Sequence, residues 1–319
     1  MTAQLREDGT LRHLLTLETL SRAQLEELLE RSRRFVRPLG EPPPLADTLR
    51  GITVANLFTE PSTRTRVSFE LAAKRLGAQV VNLEVQLSSR VKGESMLDTI
   101  YTLQSLHVDA FVIRDAEAGV PALVASHVAP HVSVLSAGEA HVSHPTQGLL
   151  DALTIHQSKG RFEGLAVTIV GDIRHSRVAR SAWQALRTLG VADFRLAAPS
   201  ALMPDAREFP GCTRHARLAT ALREANVVMM LRIQKERMRD ADLPDGEQYF
   251  AAWGLTRERL ALAAPDAIVM HPQPMNRGIE IASDIADGRQ SVIRDQVRNG
   301  VAVRMAVLEE VLTSRRGHA

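Results

Sequence analysis

The spacing of apolar residues switches repeatedly along the chain between a helical period and short continuous runs, and each switch marks an element. Ser21 and Gln24 make a capping box, Leu20 and Leu25 can staple across it, and Leu25, Leu28 and Leu29 continue one face, which predicts a first helix. The prolines Pro42, Pro43 and Pro44 end that pattern. Gly51 to Phe58 then predicts a buried strand that stops before Pro61. A helical pattern through Phe69, Leu71, Ala72 and Leu76 closes at Gly77, and Ala78 to Leu83 predicts another short strand. The alternation continues with a helix over Met96–Leu106, a strand over Ala110–Ile113, a helix over Ala122–His127 and a strand over Val132–Leu135. Beyond a helix over Thr146–Gln157 and a loop over Ser158–Glu163, a second series begins. Leu165–Val170, Phe194–Ala197, Val227–Leu231 and Ala267–Met270 read as strands, with helices over Ser176–Leu189 and Leu218–Ala225 between them. Val301, Met305, Leu308 and Leu312 line one face of a closing helix over Val301–Leu312. Strand and helix in alternation predict two doubly wound parallel-sheet α/β domains joined by interdomain helices, over residues 1–150 and 151–300, with residues 301–319 packing back on the first.

Composition narrows the class. Of 319 residues, 45% are hydrophobic and 24% charged, the balance of a soluble globular chain long enough for two domains and a core that needs no disulfides. Cys212 is the only cysteine and cannot pair within the chain. The net charge of +2 comes from interspersed signs with no basic stripe, which argues against nucleic acid as a partner. No apolar run reaches the ~18 residues of a membrane span and residues 1–13 carry no apolar leader, so the expectation is a cytoplasmic protein that does not bind a membrane.

In parallel sheets, ligands sit beyond the carboxyl ends of the strands, and the chemistry-bearing residues here cluster at those ends. After Phe58 comes Ser62-Thr63-Arg64-Thr65-Arg66, hydroxyls and guanidinium groups at a helix start, an arrangement suited to a phosphate. Arg114 follows the strand at Ala110–Ile113, and His144-Pro145-Thr146-Gln147 opens a helix beyond Gly138. A histidine so placed can present its ring to a carbonyl, and the glutamine amide can bond an NH₂ or an oxygen. In the second half, Gly171-Asp172 leads to Arg177, and Arg232 follows Leu231 directly, two cations that could hold two carboxylates. The prolines of His271-Pro272-Gln273-Pro274 hold backbone carbonyls rigidly outward, able to accept from an N–H group. Lys92 lies in a polar, glycine-containing loop that by itself reads as solvated. The pairs His141/His144 and His127/His131 invite a metal reading, but no cysteine or acidic cluster accompanies them, and the expectation is no metal.

Taken together, these motifs carry a specific resemblance. Ser62–Arg66 followed by Ser68-Phe69-Glu70, then Lys92-Gly93-Glu94, then His144–Gln147, in that order and over nearly the whole chain, resemble the bacterial aspartate carbamoyltransferase catalytic chains. Arg177 with Gly171-Asp172, and Arg232-Ile233-Gln234-Lys235-Glu236-Arg237, resemble that family's amino-acid-binding half. Ornithine-using relatives carry a His-Cys-Leu-Pro segment where this chain has His271-Pro-Gln-Pro274. The resemblance implies transfer of a carbamoyl group from carbamoyl phosphate to the α-amine of L-aspartate, in pyrimidine biosynthesis, without a cofactor. It implies that Ser62, Thr63, Arg64 and Thr65 hold the phosphate, that Arg114 spans phosphate and carbonyl oxygen, and that His144, Gln147, Gln273 and Pro274 surround the carbamoyl group. Arg177, Arg232 and Gln234 would hold aspartate, with Lys92. Arg64, Thr65, Lys92, Arg114 and His144 would serve the reaction itself.

The resemblance further implies a homotrimer whose sites are shared, Ser88 and Lys92 reaching into the neighbouring chain's site. A larger assembly with a dihydroorotase-like or regulatory chain stays open. Two departures stand out: the family's Gly-Asp-Gly reads Gly138-Glu139-Ala140 here, and Gln273 replaces an apolar residue. Three rival readings are weaker. A transcarbamylase for a cationic amine such as ornithine would need carboxylates where Arg177 and Arg232 stand. An anion-binding scaffold would not need the full motif set. A dinucleotide oxidoreductase lacks its G-x-G-x-x-G.

Overall fold

Every strand of the two sheets pairs in parallel, so each must be followed by a crossover, and the helical segments between the apolar runs supply it. The computed structural model describes residues 4–38, 40–83, 95–233 and 245–314. The first series runs α1 (Arg22–Arg33), β1 (Thr53–Phe58), α2 (Thr63–Arg75), β2 (Gln79–Leu83), α3 (Met96–Ser105), β3 (Ala110–Asp115), α4 (Val120–His127), β4 (Ser133–Glu139) and α5 (Pro145–Lys159). The second runs β5 (Ala166–Val170), α6 (Arg177–Thr188), β6 (Asp193–Ala197), β7 (Cys212–His215), α7 (Leu218–Leu222), β8 (Val227–Met230), α8 (Gly246–Trp253), α9 (Arg257–Leu260), β9 (Ile268–Met270), α10 (Ser283–Ala286) and α11 (Ile293–Thr313). Sheet orders are β2-β1-β3-β4 and β7-β6-β5-β8-β9, two doubly wound domains. One compact unit comprises the residues up to Leu150 and those from Arg298 on, the other Asp151–Val297, and the chain passes between them inside α5 and inside α11.

Each unit has its own core. Phe111, Ile113, Ala55 and Leu57 of the first sheet are buried with Ile100 of α3 and Val124 of α4. In the second, Val170, Val228 and Val269 are buried with Leu222, Leu260 and Ile285. The Ser21/Gln24 capping box forms at the start of α1, and Gly77 follows α2 at φ 84°, where a side chain would be strained.

Some expectations are corrected. Leu71 is exposed, while Phe69, Ala72, Ala73 and Leu76 face the core, so α2 buries a narrower stripe than its apolar content suggests. Arg114 lies within β3, not beyond it, and β4 runs on through Glu139. Ser158 and Lys159 are helical. The helix expected to Ala225 stops at Leu222, because Glu224 takes φ 54°. The closing helix starts at Ile293, eight residues earlier than its apolar face. Strand β7 has no apolar run to announce it: three of its residues are Cys212, Thr213 and Arg214, and it forms the edge of its sheet.

The segment before α1 also joins the first sheet, which its sequence does not signal. Leu14 donates to the carbonyl of Val134 at 2.9 Å and accepts from Ser136 at 2.8 Å, covering the β4 edge. His13 is buried there, and its Nδ1 accepts the Val134 N–H at 2.9 Å. Burial, reinforced by Arg12 and Arg6, holds its pKa down at about 3, so the folded ring stays neutral while the unfolded ring protonates below about 6.5. His13 therefore contributes fully above pH ~6.5, and its contribution is lost as pH falls toward 3, at up to about 1.4 kcal/mol per unit. His13→Asn keeps an acceptor for Val134 without a titrating ring. Between about pH 6.5 and 4.5 the variant should lose roughly 2–3 kcal/mol less unfolding free energy than the parent, measured in urea. Parallel losses would refute a neutral buried ring.

Candidate active site

Where the strand order of a parallel sheet reverses, adjacent crossovers leave on opposite faces and open a crevice at the carboxyl ends. In the first sheet that point lies between β1 and β3. The two strand ends that meet there carry Thr59–Arg66 and Arg114. Phe58 and Arg114 are register partners, and the Arg114 carbonyl accepts from Thr59 N at 3.0 Å. Arg114 itself is oriented by Glu60 Oε2, 3.3 Å from its Nε, and donates from Nη1 to the Ala137 carbonyl at 3.3 Å. Its guanidinium is thus fixed across the ends of β1, β3 and β4.

Ser62 is the N-cap of α2, with extended φ of −161°, and its side chain makes no capping bond. Thr63, Arg64 and Thr65 form the first turn, Thr65 buried and Arg64 exposed. First-turn N–H groups have no partner within a helix, and the cap serine is not engaged on them, an arrangement an anion can use.

At the end of β4, Gly138 takes φ 114° and Ala140 takes φ 39°. An alanine there costs on the order of 1 kcal/mol more than a glycine. The turn is secured by Ala140 N–H to the Asp115 carbonyl at 2.9 Å, Glu139 N–H to the Ser143 carbonyl at 2.9 Å, and Gly119 N–H to Glu139 Oε2 at 3.1 Å. The departure Gly138-Glu139-Ala140 thus keeps a tight turn. His144 precedes Pro145, the first residue of α5, and its carbonyl accepts from Gln147 N at 2.9 Å; both side chains are mostly buried.

The second sheet reverses between β5 and β8. Gly171 follows β5 at φ 118°, and a Cβ there would come within 2.9 Å of the Leu231 carbonyl, so only glycine lets these two strand ends approach. Arg232 comes next after Leu231, half-buried, and Arg177 opens α6 beyond Ser176, whose Oγ caps Ala179 N at 3.1 Å. Arg177 is buried. Between them Asp172, fully buried, accepts from His175 N at 3.3 Å and lies 2.8 Å from its Nδ1, shaping the turn that leads into α6. Gln273 and Pro274 follow β9, beside β8. Ser88, Lys92 and Gln234 lie outside the described residues.

Sequence reasoning did not find Tyr249 and Glu280. Both are buried, and neither the Tyr249 hydroxyl nor Glu280 Oε2 finds a hydrogen-bond partner among the described residues. Burial, then the Glu280 and Asp172 carboxylates, push the Tyr249 phenol far above its usual range, so it stays protonated. The Tyr249 hydroxyl would be 3.4 Å from a Cβ on Gly171, which places it at the same strand end.

Comparison with known proteins bears on the family and the fold. The family model described as aspartate/ornithine carbamoyltransferase, carbamoyl-P binding domain, matches residues 12–157, and the one described as aspartate/ornithine carbamoyltransferase, Asp/Orn binding domain, matches residues 163–311. The chain is similar to aspartate transcarbamoylase from Trypanosoma cruzi, solved in complex with carbamoyl aspartate and phosphate, at 32% identity over 94% of this chain and 96% of that one, with a TM-score of 0.81. It is also similar to ornithine carbamoyltransferase from Thermus thermophilus, at 25% identity over 94% and 99% of the two chains and a TM-score of 0.81. For ornithine carbamoyltransferase from Pyrococcus furiosus the values are 29%, 94%, 97% and 0.82.

Proposed function

The chain belongs to the aspartate/ornithine carbamoyltransferase family, and within it we propose that this enzyme transfers the carbamoyl group of carbamoyl phosphate to the α-amine of L-aspartate. The observation that carries the choice of aspartate is the pair of arginines at the reversal of the second sheet, Arg177 beyond β5 and Arg232 beyond β8. Aspartate brings two carboxylates to two guanidinium groups, whereas ornithine brings one carboxylate and a second cation. Assays with each amine test this: kcat/KM should favour aspartate by at least about a hundredfold. A preference for ornithine would overturn the reading.

In this reading the first domain takes carbamoyl phosphate through Ser62, Thr63, Arg64, Thr65 and Arg114, with His144, Gln147 and the carbonyls of Gln273 and Pro274 around the carbamoyl group. Aspartate is held by Arg177, Arg232 and Gln234, assisted by Lys92. The deprotonated amine attacks the carbamoyl carbon, forming the C–N bond. The oxygen of the tetrahedral intermediate is stabilised by His144, Thr65 and Arg114. The C–O bond to phosphate then breaks, and the departing phosphate accepts the amine proton, so no protein carboxylate has to act as base.

His144→Ala should lower kcat by on the order of ten- to a thousandfold while leaving inhibition by inorganic phosphate within about threefold, the pattern of a lost donor to the developing oxyanion. An unchanged kcat would reduce His144 to the start of a helix.

The same reading makes the enzyme a homotrimer in which Ser88 and Lys92 complete the neighbour's site. Its support is the surface beside the phosphate loop: β2 is an edge strand, and Val67 and Leu71 of α2 and Val81 of β2 are exposed. No helix among the described residues is long and apolar enough to cross a membrane.

A further inference from the structure

The loop that leaves β9 is held by buried polar contacts that the mechanism above does not use. His271 and Glu280 are both buried, and the His271 ring lies 3.2 Å through Nε2 from Glu280 Oε1. The same oxygen accepts the Asn276 N–H at 2.6 Å. On the other side of the ring, Nδ1 lies 2.9 Å from Gln273 N. The backbone nitrogen can only donate, so Nδ1 is the acceptor and Nε2 carries the proton toward Glu280. The His271 N–H donates to Gln296 Oε1 at 2.9 Å, and Gln296 Nε2 donates to Asp151 Oδ1 at 2.8 Å, which ties the loop to α11 and α5.

These contacts have a chemical consequence for the segment 272–274. Pro272 and Pro274 have no N–H, and the N–H of Gln273 is spent on the His271 ring. Every backbone N–H of the segment is absent or occupied, so its backbone offers acceptors alone. Gln273 sits at φ 56°, a conformation an L-residue rarely adopts unless its surroundings impose it. The imidazole accepts its N–H in that conformation, and Glu280 in turn meets the imidazole.

We propose that His271 and Glu280 are a positioning pair that keeps the Gln273 and Pro274 carbonyls a donor-free acceptor surface for the carbamoyl NH₂, and so set the preference for carbamoyl phosphate over acyl phosphates that lack it. The proposal rests on the reading that these carbonyls meet the carbamoyl group. Acetyl phosphate separates the two, since it replaces the NH₂ by a methyl of similar size and keeps the rest.

The test measures, in the assembled enzyme, the KM and kcat for carbamoyl phosphate with the competitive inhibition constants of acetyl phosphate and inorganic phosphate. The parent enzyme should favour carbamoyl over acetyl phosphate by at least about tenfold. Glu280→Leu and His271→Leu should each raise the carbamoyl-phosphate KM about tenfold or more, leaving acetyl phosphate and inorganic phosphate within about threefold. Glu280→Gln keeps an acceptor oxygen and should retain the preference within about threefold. Should the leucine variants not fold, Glu280→Asp withdraws the carboxylate by one methylene and reads the same ratio. A folded disruptive variant that keeps the full preference, or one that loses all three ligands alike, overturns the pair as a positioning device. A parent enzyme with no preference instead overturns the contact between these carbonyls and the carbamoyl group, a separate outcome.

Discussion

Arg232→Ala should raise the aspartate KM by roughly thirty- to a few thousandfold while moving the carbamoyl-phosphate KM less than about threefold, because a desolvated guanidinium–carboxylate pair is worth roughly 2–5 kcal/mol. The position of the side chain explains the size of the effect. Arg232 leaves the end of β8 one residue after Leu231, whose N–H is bonded to the Val170 carbonyl at 2.8 Å and whose own carbonyl packs on Gly171. Its Cα is thereby fixed by the sheet and not by a loop, which sets where the side chain starts. Arg232→Lys keeps the charge but loses the two-pronged geometry, and its aspartate KM should fall between parent and alanine variant. Steady-state kinetics with each substrate varied in turn decides the matter. Equal damage to both KM values would mean that the second domain does not receive the amino acid.

How far the site could be read from sequence depends on which residues a short segment contains. Ser62–Arg66 and His144–Gln147 stand out in the sequence as candidates because the topology of a parallel sheet turns a position after a strand into a position beside a crevice, whereas Arg114 lies within β3. The same rule makes candidates of Gly171, Arg177 and Arg232. Glu280 was not legible, since it stands nine residues beyond His271 with no motif joining them, and only the folded loop brings its carboxylate to the ring. Tyr249 gave no signal either: in a helix of ordinary amphipathic pattern, an inward-facing tyrosine reads as core. In the fold, the early turns of α11 were hidden by Asn299 and Gly300, which look like a helix stop. Gly300 instead continues the helix, its carbonyl accepting from Arg304 Nη1 at 2.9 Å. Leu71 misled for the opposite reason, because helical spacing shows that apolar residues share a face without showing that the face is turned to the core of the same chain.

The exposed apolar positions of α2 and β2 beside the proposed phosphate site fit a shared site, which predicts that two inactive enzymes regain activity together. On the proposed reading Arg64, in the first turn of α2, acts in its own chain and Lys92 in the neighbour's. Arg64→Ala and Lys92→Ala enzymes should then each be nearly inactive, since every site lacks one cation. Dissociated, mixed in equal amounts and reassembled, they should regain activity, because a site built from Arg64 of a Lys92 variant and Lys92 of an Arg64 variant is intact. Random assembly in a closed ring gives about one quarter of the sites working. Exchange has to be forced by dissociation, as an obligate interface does not open during a short incubation. The native mass of each single variant shows that assembly survives the substitution, and the mass distribution of the mixture shows that the chains have mixed. Confirmed mixed particles as inactive as their parents would place Lys92 in its own chain's site or outside any site, and the ring would then be a matter of stability alone.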